Sequence, residues 1–169
     1  MTPIPAMLGG ASSLVAWRLD HARHGRSWDS GEGSYLVGGR WNPPGIRAVY
    51  CSLDPATTIL EVAAHIGIRA LTFEKRILTS LEIVDPALVH VLDVATVPNP
   101  LWLLPGYPSA SQQAFGADLL NRQLFILVPS VVSPKSWTLM FDATRAYGAY
   151  SLRSQDDFAL DPRFDPPAR

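Results

Sequence analysis

Arg40 and Trp41 stand side by side in the stretch GGRWNPPGIRAVYCS, residues Gly38–Ser52. Two glycines precede them, a Pro-Pro-Gly turn follows, and a short apolar run closes the stretch. In so turn-rich a loop the pair either packs the loop or holds a ligand, and a guanidinium would offer paired N–H donors to phosphate oxygens. Glu61 sits inside TTILEVAAH. A carboxylate there faces solvent or looks into a cleft, because glutamate is rarely buried without a partner. Ser130 follows Pro129 at the end of an apolar run and, taken alone, reads as a turn residue. His21 and His24 are three apart, but no third ligand stands near them at a recognisable metal spacing. Cys51 ends an apolar run, where a buried structural thiol is the commoner outcome than a nucleophile. The glycine-rich SGEGSYLVGG is no P-loop, since no Gly-Lys-Ser/Thr follows it.

Composition narrows the classes. At 169 residues the chain fits one domain, residues 1–169, with room for a real core. It is 47% hydrophobic and only 17% charged, which is globular rather than disordered. A net charge of −1 gives no basic excess for nucleic acid, so no direct nucleic-acid binding is expected. Only Lys75 and Lys135 among the 14 basic residues are lysines. The single cysteine excludes an internal disulfide and a cysteine-based zinc site. The N-terminal stretch lacks a basic region before its apolar run, and no segment approaches the ~20 apolar residues of a membrane span. A cytoplasmic location is the resulting expectation.

The elements that must position these side chains can be read next. Leu14–Leu19, Arg47–Ser52, Arg76–Val84, Val89–Val94, Leu124–Val128, Trp137–Phe141 and Ala149–Arg153 are the strand candidates. Residues His21–Trp41 read as one long polar loop, functional or mobile, with Arg23–Tyr35 as a wall or a lid. The clearest helix lies in DPATTILEVAAHIG: Asp54 caps it, Pro55 starts it, Gly67 ends it, and Ile59, Val62, Ala63 and Ile66 form its apolar face. His65 lies one turn beyond Glu61 and is expected to be structural. Ser109–Asn121 is a second helix, capped by Ser109 or Ser111, and the tail DPRFDPPAR is turn-like. The mixture predicts an α+β fold.

Read together, the polar residues resemble a family. The words WRL at Trp17–Leu19, GEGSYLVGGRWNPPG at Gly31–Gly45, AVYCS at Ala48–Ser52, TTILEVAAH at Thr57–His65, FILVPS at Phe125–Ser130 and DPR at Asp161–Arg163 resemble the RES-domain family, the toxin halves of RES–Xre type toxin–antitoxin pairs. The likeness spans nearly the whole chain, with a domain core at about residues 14–165. The family's arginine, glutamate and serine map to Arg40, Glu61 and Ser130; Arg18 and Tyr50 match two further pocket positions. The chain departs from the family in PKSWTLMFDATR, where Thr138 and Asp142 stand near expected asparagines.

The resemblance implies a single compact domain with an ADP-ribosyltransferase-like mixed β core. It implies NAD as substrate and no metal. Glu61 would stabilise the ribosyl cation formed as nicotinamide leaves. Arg40 and Arg18 would hold the pyrophosphate, Tyr50 would stack on nicotinamide or ribose, and Ser130 would orient Glu61 or bond the nicotinamide amide. Trp41 is expected to anchor the loop and Asn42 to cap its turn. The acceptor of the ADP-ribose would be water, inorganic phosphate or a target protein. A cognate Xre/ParS-like antitoxin is the implied partner, and a homodimer within that complex is left open. The alternatives to NAD phosphorolysis or hydrolysis are mono-ADP-ribosylation of a protein and a non-enzymatic binding module.

Overall fold

The computed structural model of the protein describes residues 13–104, 106 and 108–164. Its strands are β1 (Leu14–His21), β2 (Ala48–Ser52), β3 (Arg76–Ile83), β4 (Val89–Val91), β5 (Phe125–Pro129), β6 (Trp137–Asp142) and β7 (Ser151–Phe158). The helices are α1 (Glu32–Val37), α2 (Pro55–Ile66), α3 (Ala70–Phe73) and α4 (Ala110–Arg122). The strands form one mixed sheet in the order β4-β5-β6-β2-β1-β3-β7. Every neighbouring pair is antiparallel except β4 and β5. The expected α+β architecture is therefore present.

Alternation along the strands builds two cores. Leu14, Ala16, Val49, Cys51, Leu81, Phe125, Leu127, Leu139 and Phe141 point to one face, where Trp28 and Ala146 close over them. Ala48, Ile126, Val128 and Met140 point to the other, under Trp41, Trp102, Leu119 and Leu120. The continuous run FILV in β5 is thus a strand buried on both sides, as an unbroken apolar run should be.

The sheet is nearly split at its middle. β1 pairs with β3 along its whole length, from Leu14↔Ile83 to His21↔Arg76. It meets β2 at a single pair, Trp17↔Ser52. Continuing that antiparallel register would set Leu19 against Tyr50 and His21 against Ala48, yet neither pair forms. The two half-sheets part toward the end of β1.

Several expectations need correction. The polar stretch after β1 is not one irregular loop: it holds a 3-10 turn at Ala22–Ser27 and the short helix α1. Gly31 makes this turn feasible, with φ at 62° and a Cβ position only 2.4 Å from the Arg47 carbonyl oxygen, which no other residue could occupy. β4 ends at Val91, short of Val94, because Asp93 caps a 3-10 turn through Ala95 N–H. β7 begins at Ser151 and runs on to Phe158, pairing with β3 across an irregularity between Ser80 and Leu81.

The helix α2 forms as its capping residues dictate. Asp54 Oδ1 accepts from Thr57 N–H at 2.7 Å, and Gly67, with φ at 85°, terminates it. Its seating differs from the expected apolar stripe. Thr57 and Thr58 are its buried residues, while Ile66 is 42% exposed. The helix is fastened at its first turn, where Thr58 Oγ1 donates to the Trp17 carbonyl at 3.0 Å, and the rest rides outward. The N-terminal stretch that lacks a basic region lies largely outside the described residues, as does the end of the tail; Pro162–Phe164 form a 3-10 turn.

Candidate active site

α2, the end of β5 and the loop after α1 bring Glu61, Ser130 and Arg40 to one side of the sheet. Ser130 is the residue at which β5 turns away. Its hydroxyl donates to Glu61 Oε1 at 2.8 Å across 69 positions of sequence. Ser130 Oγ in turn accepts the Ser133 N–H at 3.3 Å, and the Ser130 N–H donates to the Ser136 carbonyl at 2.9 Å. The turn residue and the carboxylate partner are therefore one and the same. With its proton given to Glu61 and one lone pair taken by the Ser133 N–H, Ser130 is 1% exposed and fixes where the Glu61 carboxylate lies. His65 is exposed and makes no hydrogen bond to Glu61 among the described residues.

Arg40 projects from the Gly38–Ile46 loop. Its two terminal nitrogens donate to the backbone carbonyls of Trp102 and Gly106, each at 3.1 Å. Burial pulls the guanidinium below its usual basicity, and the negative charge of Glu61 offsets part of that loss. Arg40 and Glu61 feel each other's charge without forming an ion pair among the described residues.

The loop that carries Arg40 is held more firmly than its turn residues suggest. Trp41 is 2% exposed and packs on Trp102 with ring centroids 5.3 Å apart, the anchoring expected of it. Asn42 does more than cap a turn. It is fully buried, and its Nδ2 donates to the carbonyls of Pro43, Ser34 and Ile46. Its Oδ1 accepts from the Tyr50 hydroxyl at 2.6 Å, and the Trp41 N–H in turn donates to that hydroxyl at 3.1 Å. Burial pushes the Tyr50 phenol up, against the opposing pull of the Trp41 N–H and the Arg40 charge. Tyr50 thus spends its hydroxyl on the arginine loop. Two further contacts, invisible in the sequence, come from α4. Gln113 Nε2 donates to the Gly39 carbonyl at 2.8 Å, and Gly116 lies so close that a Cβ there would stand 2.1 Å from the Trp41 carbonyl oxygen.

Arg18 spans the split in the sheet. Its Nη1 donates to the Tyr50 carbonyl at 3.0 Å, where β1 and β2 have parted. Its other side is engaged by Asp20, with Nε–Oδ2 at 2.9 Å and Nη2–Oδ1 at 2.8 Å. That is a two-pronged guanidinium–carboxylate pair, so any phosphate would compete with Asp20 for the fork.

The remaining candidates are accounted for otherwise. Cys51 is buried in the first core, and burial pushes its thiol up to about 12, with Arg18 opposing and Asp20 and Asp29 adding to the shift. His21 Nδ1 accepts from the Arg23 N–H and His24 Nε2 from Arg23 Nε. Among the described residues no group of His, Cys, Asp and Glu is placed to hold a metal ion. In the divergent segment, Thr138 is buried on β6 and Asp142 Oδ1 accepts the N–H groups of Thr144 and Arg145, which makes it a turn cap. No helix among the described residues is long and apolar enough to cross a membrane.

An arginine, a glutamate and a serine gathered on a split mixed sheet define a class. The RES domain matches residues 15–161, and the chain belongs to that family. Among its relatives, a protein named Toxin Res from Photorhabdus laumondii subsp. laumondii is 30% identical over 123 residues, 72% of this chain and 76% of that protein. A Prs ADP-ribosylating toxin from Sphingobium sp. is also 30% identical, over 133 residues, covering 75% and 80% of the two chains. The fold matches the crystal structure of the M. tuberculosis MbcT–MbcA toxin–antitoxin complex with a TM-score of 0.65 and 25% identity, over 87% of this chain and 85% of that one.

Proposed function

We propose that this protein is the toxin of a toxin–antitoxin pair and that the Arg40–Glu61–Ser130 side of the sheet binds NAD and breaks its nicotinamide–ribose bond. The observation that carries the reading is the 2.8 Å bond from the Ser130 hydroxyl to Glu61 Oε1, with the half-buried guanidinium of Arg40 within range of that carboxylate's charge. Family membership and two curated relatives named as toxins support the biological role.

The chemistry follows from the charges. The nicotinamide of NAD is cationic while bonded to ribose, so its departure as a neutral base needs no proton donor. The C1′–N bond breaks with its electron pair going to nitrogen, and positive charge develops on the ribose. A fixed carboxylate beside that carbon stabilises it, and fixed dipoles and charges at the place where charge develops are the largest usual source of rate. Glu61 is that carboxylate, and Ser130 prevents it from rotating away. Arg40 offers donors to the pyrophosphate; Arg18, whose fork is held by Asp20, would have to give up that carboxylate to add a second guanidinium. An oxygen of water or inorganic phosphate then bonds to C1′. Water gives ADP-ribose and a released proton; phosphate gives the 1-phosphate of ADP-ribose.

A protein side chain as acceptor is the second reading, favoured by the likeness to a protein named as an ADP-ribosylating toxin. The same first step serves both. The position two residues before Glu61 is Ile59, so the second acidic residue of many arginine-directed transferases is absent. An antitoxin is the proposed partner, since the matching fold was solved as a toxin–antitoxin complex. Product analysis separates the readings. NAD incubated with the antitoxin-free protein should yield nicotinamide with ADP-ribose, or with its 1-phosphate when phosphate is present. Adducts on lysate proteins with little free product would favour the transferase, and intact NAD under all conditions, lysate included, would overturn both.

A further inference from the structure

Helix α4 lies outside every sequence word that points to the site, yet it touches the backbone on both sides of Arg40. Gln113 Nε2 donates to the Gly39 carbonyl, one residue before the arginine, at 2.8 Å. Gly116, one turn further along α4, lies against the backbone of Trp41, one residue after it. Helical spacing sets residues three apart on one face, so a single face of α4 bears on both points. The glycines at 38 and 39 give this loop little stiffness of its own, and Gly38 lies at φ 75°, where few other residues go. Gly39 is held at both ends, its N–H donating to the Asn42 carbonyl at 2.9 Å and its carbonyl accepting from Gln113, so Gln113 shares in setting the direction in which Arg40 leaves the chain. Gln113 is half-buried, and no other side-chain donor holds the Gly39 carbonyl among the described residues.

We infer that Gln113 is a positioning residue: through the Gly39 carbonyl, and against the stop supplied by Gly116, it sets the aim of the Arg40 guanidinium at a diphosphate. The inference rests on the NAD reading only for the identity of the ligand, because the aim of Arg40 can be probed with inorganic pyrophosphate alone. Its signature is selectivity. Ligands that carry the diphosphate depend on Gln113, and nicotinamide riboside, which carries no phosphate, does not.

The test is calorimetric titration of the antitoxin-free protein with pyrophosphate, NAD and nicotinamide riboside, carried out in a Glu61→Gln background so that the nucleotide is bound and not consumed. Gln113→Met keeps the length of the side chain and removes the donor. Pyrophosphate and NAD should each bind roughly threefold to tenfold more weakly, the worth of one partly exposed hydrogen bond. Nicotinamide riboside should bind unchanged. Gln113→His places a ring N–H near the lost donor and should restore most of the difference. Gln113→Ala, on a helix that favours alanine, carries the same test if the methionine disturbs folding. Unchanged pyrophosphate affinity in a folded variant, or an equal loss for all three ligands, would overturn the role. Pyrophosphate binding that depends on Gln113 while NAD fails to bind would sustain it and sink the NAD reading instead. A wild-type protein that binds neither would overturn both.

Discussion

The two faces of the sheet are built from the same strands and do opposite things. Beneath Trp28 and Tyr150, the first face is dry and aromatic: Phe125 and Phe141 meet at 5.5 Å, and Phe141 and Tyr150 at 4.9 Å. Its one reactive atom, the Cys51 sulfur, is sealed. Beneath α4 and the arginine loop, the second face starts as a core around Trp41 and Trp102 and then turns polar, with Tyr50, Asn42, Ser130 and Glu61 tied by directed hydrogen bonds. Both carry buried polar or ionisable groups, but the second ties an acid to a buried hydroxyl, Glu61 to Ser130, close enough to Arg40 for the two charges to act on each other. Burial alone therefore does not mark a site; burial with oriented charge does.

Mutations should separate the faces. On the first, Phe141→Ala is expected to cost about 3–5 kcal/mol of stability, read as a shifted midpoint in urea unfolding, because it empties a large aromatic volume from the centre of the core. Whatever variant remains folded should cleave NAD normally, and a specific loss of turnover would blur the distinction. On the second face, Ser130→Ala should reverse the balance. Turnover should fall by about tenfold as Glu61 loses its donor, while stability falls by only about 1 kcal/mol, the usual worth of a single hydrogen bond. A loss of stability with full turnover would place Ser130 among the turn residues and nothing more.

Thr58→Val tests the seam between the faces, where Thr58 Oγ1 bonds the Trp17 carbonyl. Leaving that carbonyl to its remaining partners should cost about 1 kcal/mol and turnover by less than tenfold, measured as melting temperature beside initial rate. The smallest effect concerns Cys51. Its thiol belongs ordinarily near 9.0 and is raised to about 12 in the fold. The unfolded chain therefore loses this proton before the folded one does, and the contribution of the thiol to stability, intact below pH 9, is lost as pH rises from there toward 12. At pH 7.5 the native protein should resist iodoacetamide, with labelling appearing only in denaturant. Rapid labelling of native protein would show that the first face is not sealed.

The sequence allowed much of this to be read in advance, and the parts it withheld have physical reasons. α2 was legible because its limits are set locally by Asp54, Pro55 and Gly67, and β5 because an unbroken FILV run has few other uses. The buried face of α2 was misread, since Thr57 and Thr58 are seated by a bond to β1 that hydrophobic periodicity does not register. α1 escaped notice because six residues carry too little periodicity to stand out between glycines. At the site, Arg40, Glu61 and Ser130 were named from family words, and the structure gathers all three. Asn42 was visible as a motif residue but not as the buried hub beneath Tyr50. Gln113 had no signal at all: its partner is a backbone carbonyl 74 positions away, and backbone carbonyls leave no trace in sequence.

The central claim is that the Glu61 carboxylate breaks the nicotinamide–ribose bond. Nicotinamide release from NAD by antitoxin-free protein, wild type beside Glu61→Gln, with and without inorganic phosphate, tests it most directly. The amide keeps the size of the side chain and can still accept from Ser130, so circular dichroism should be unchanged. Release should fall by about 100-fold or more, the usual loss when a charge aimed at the transition state is removed. Equal release from the two folded proteins would contradict the assignment of Glu61 and with it the mechanism proposed for this face of the sheet.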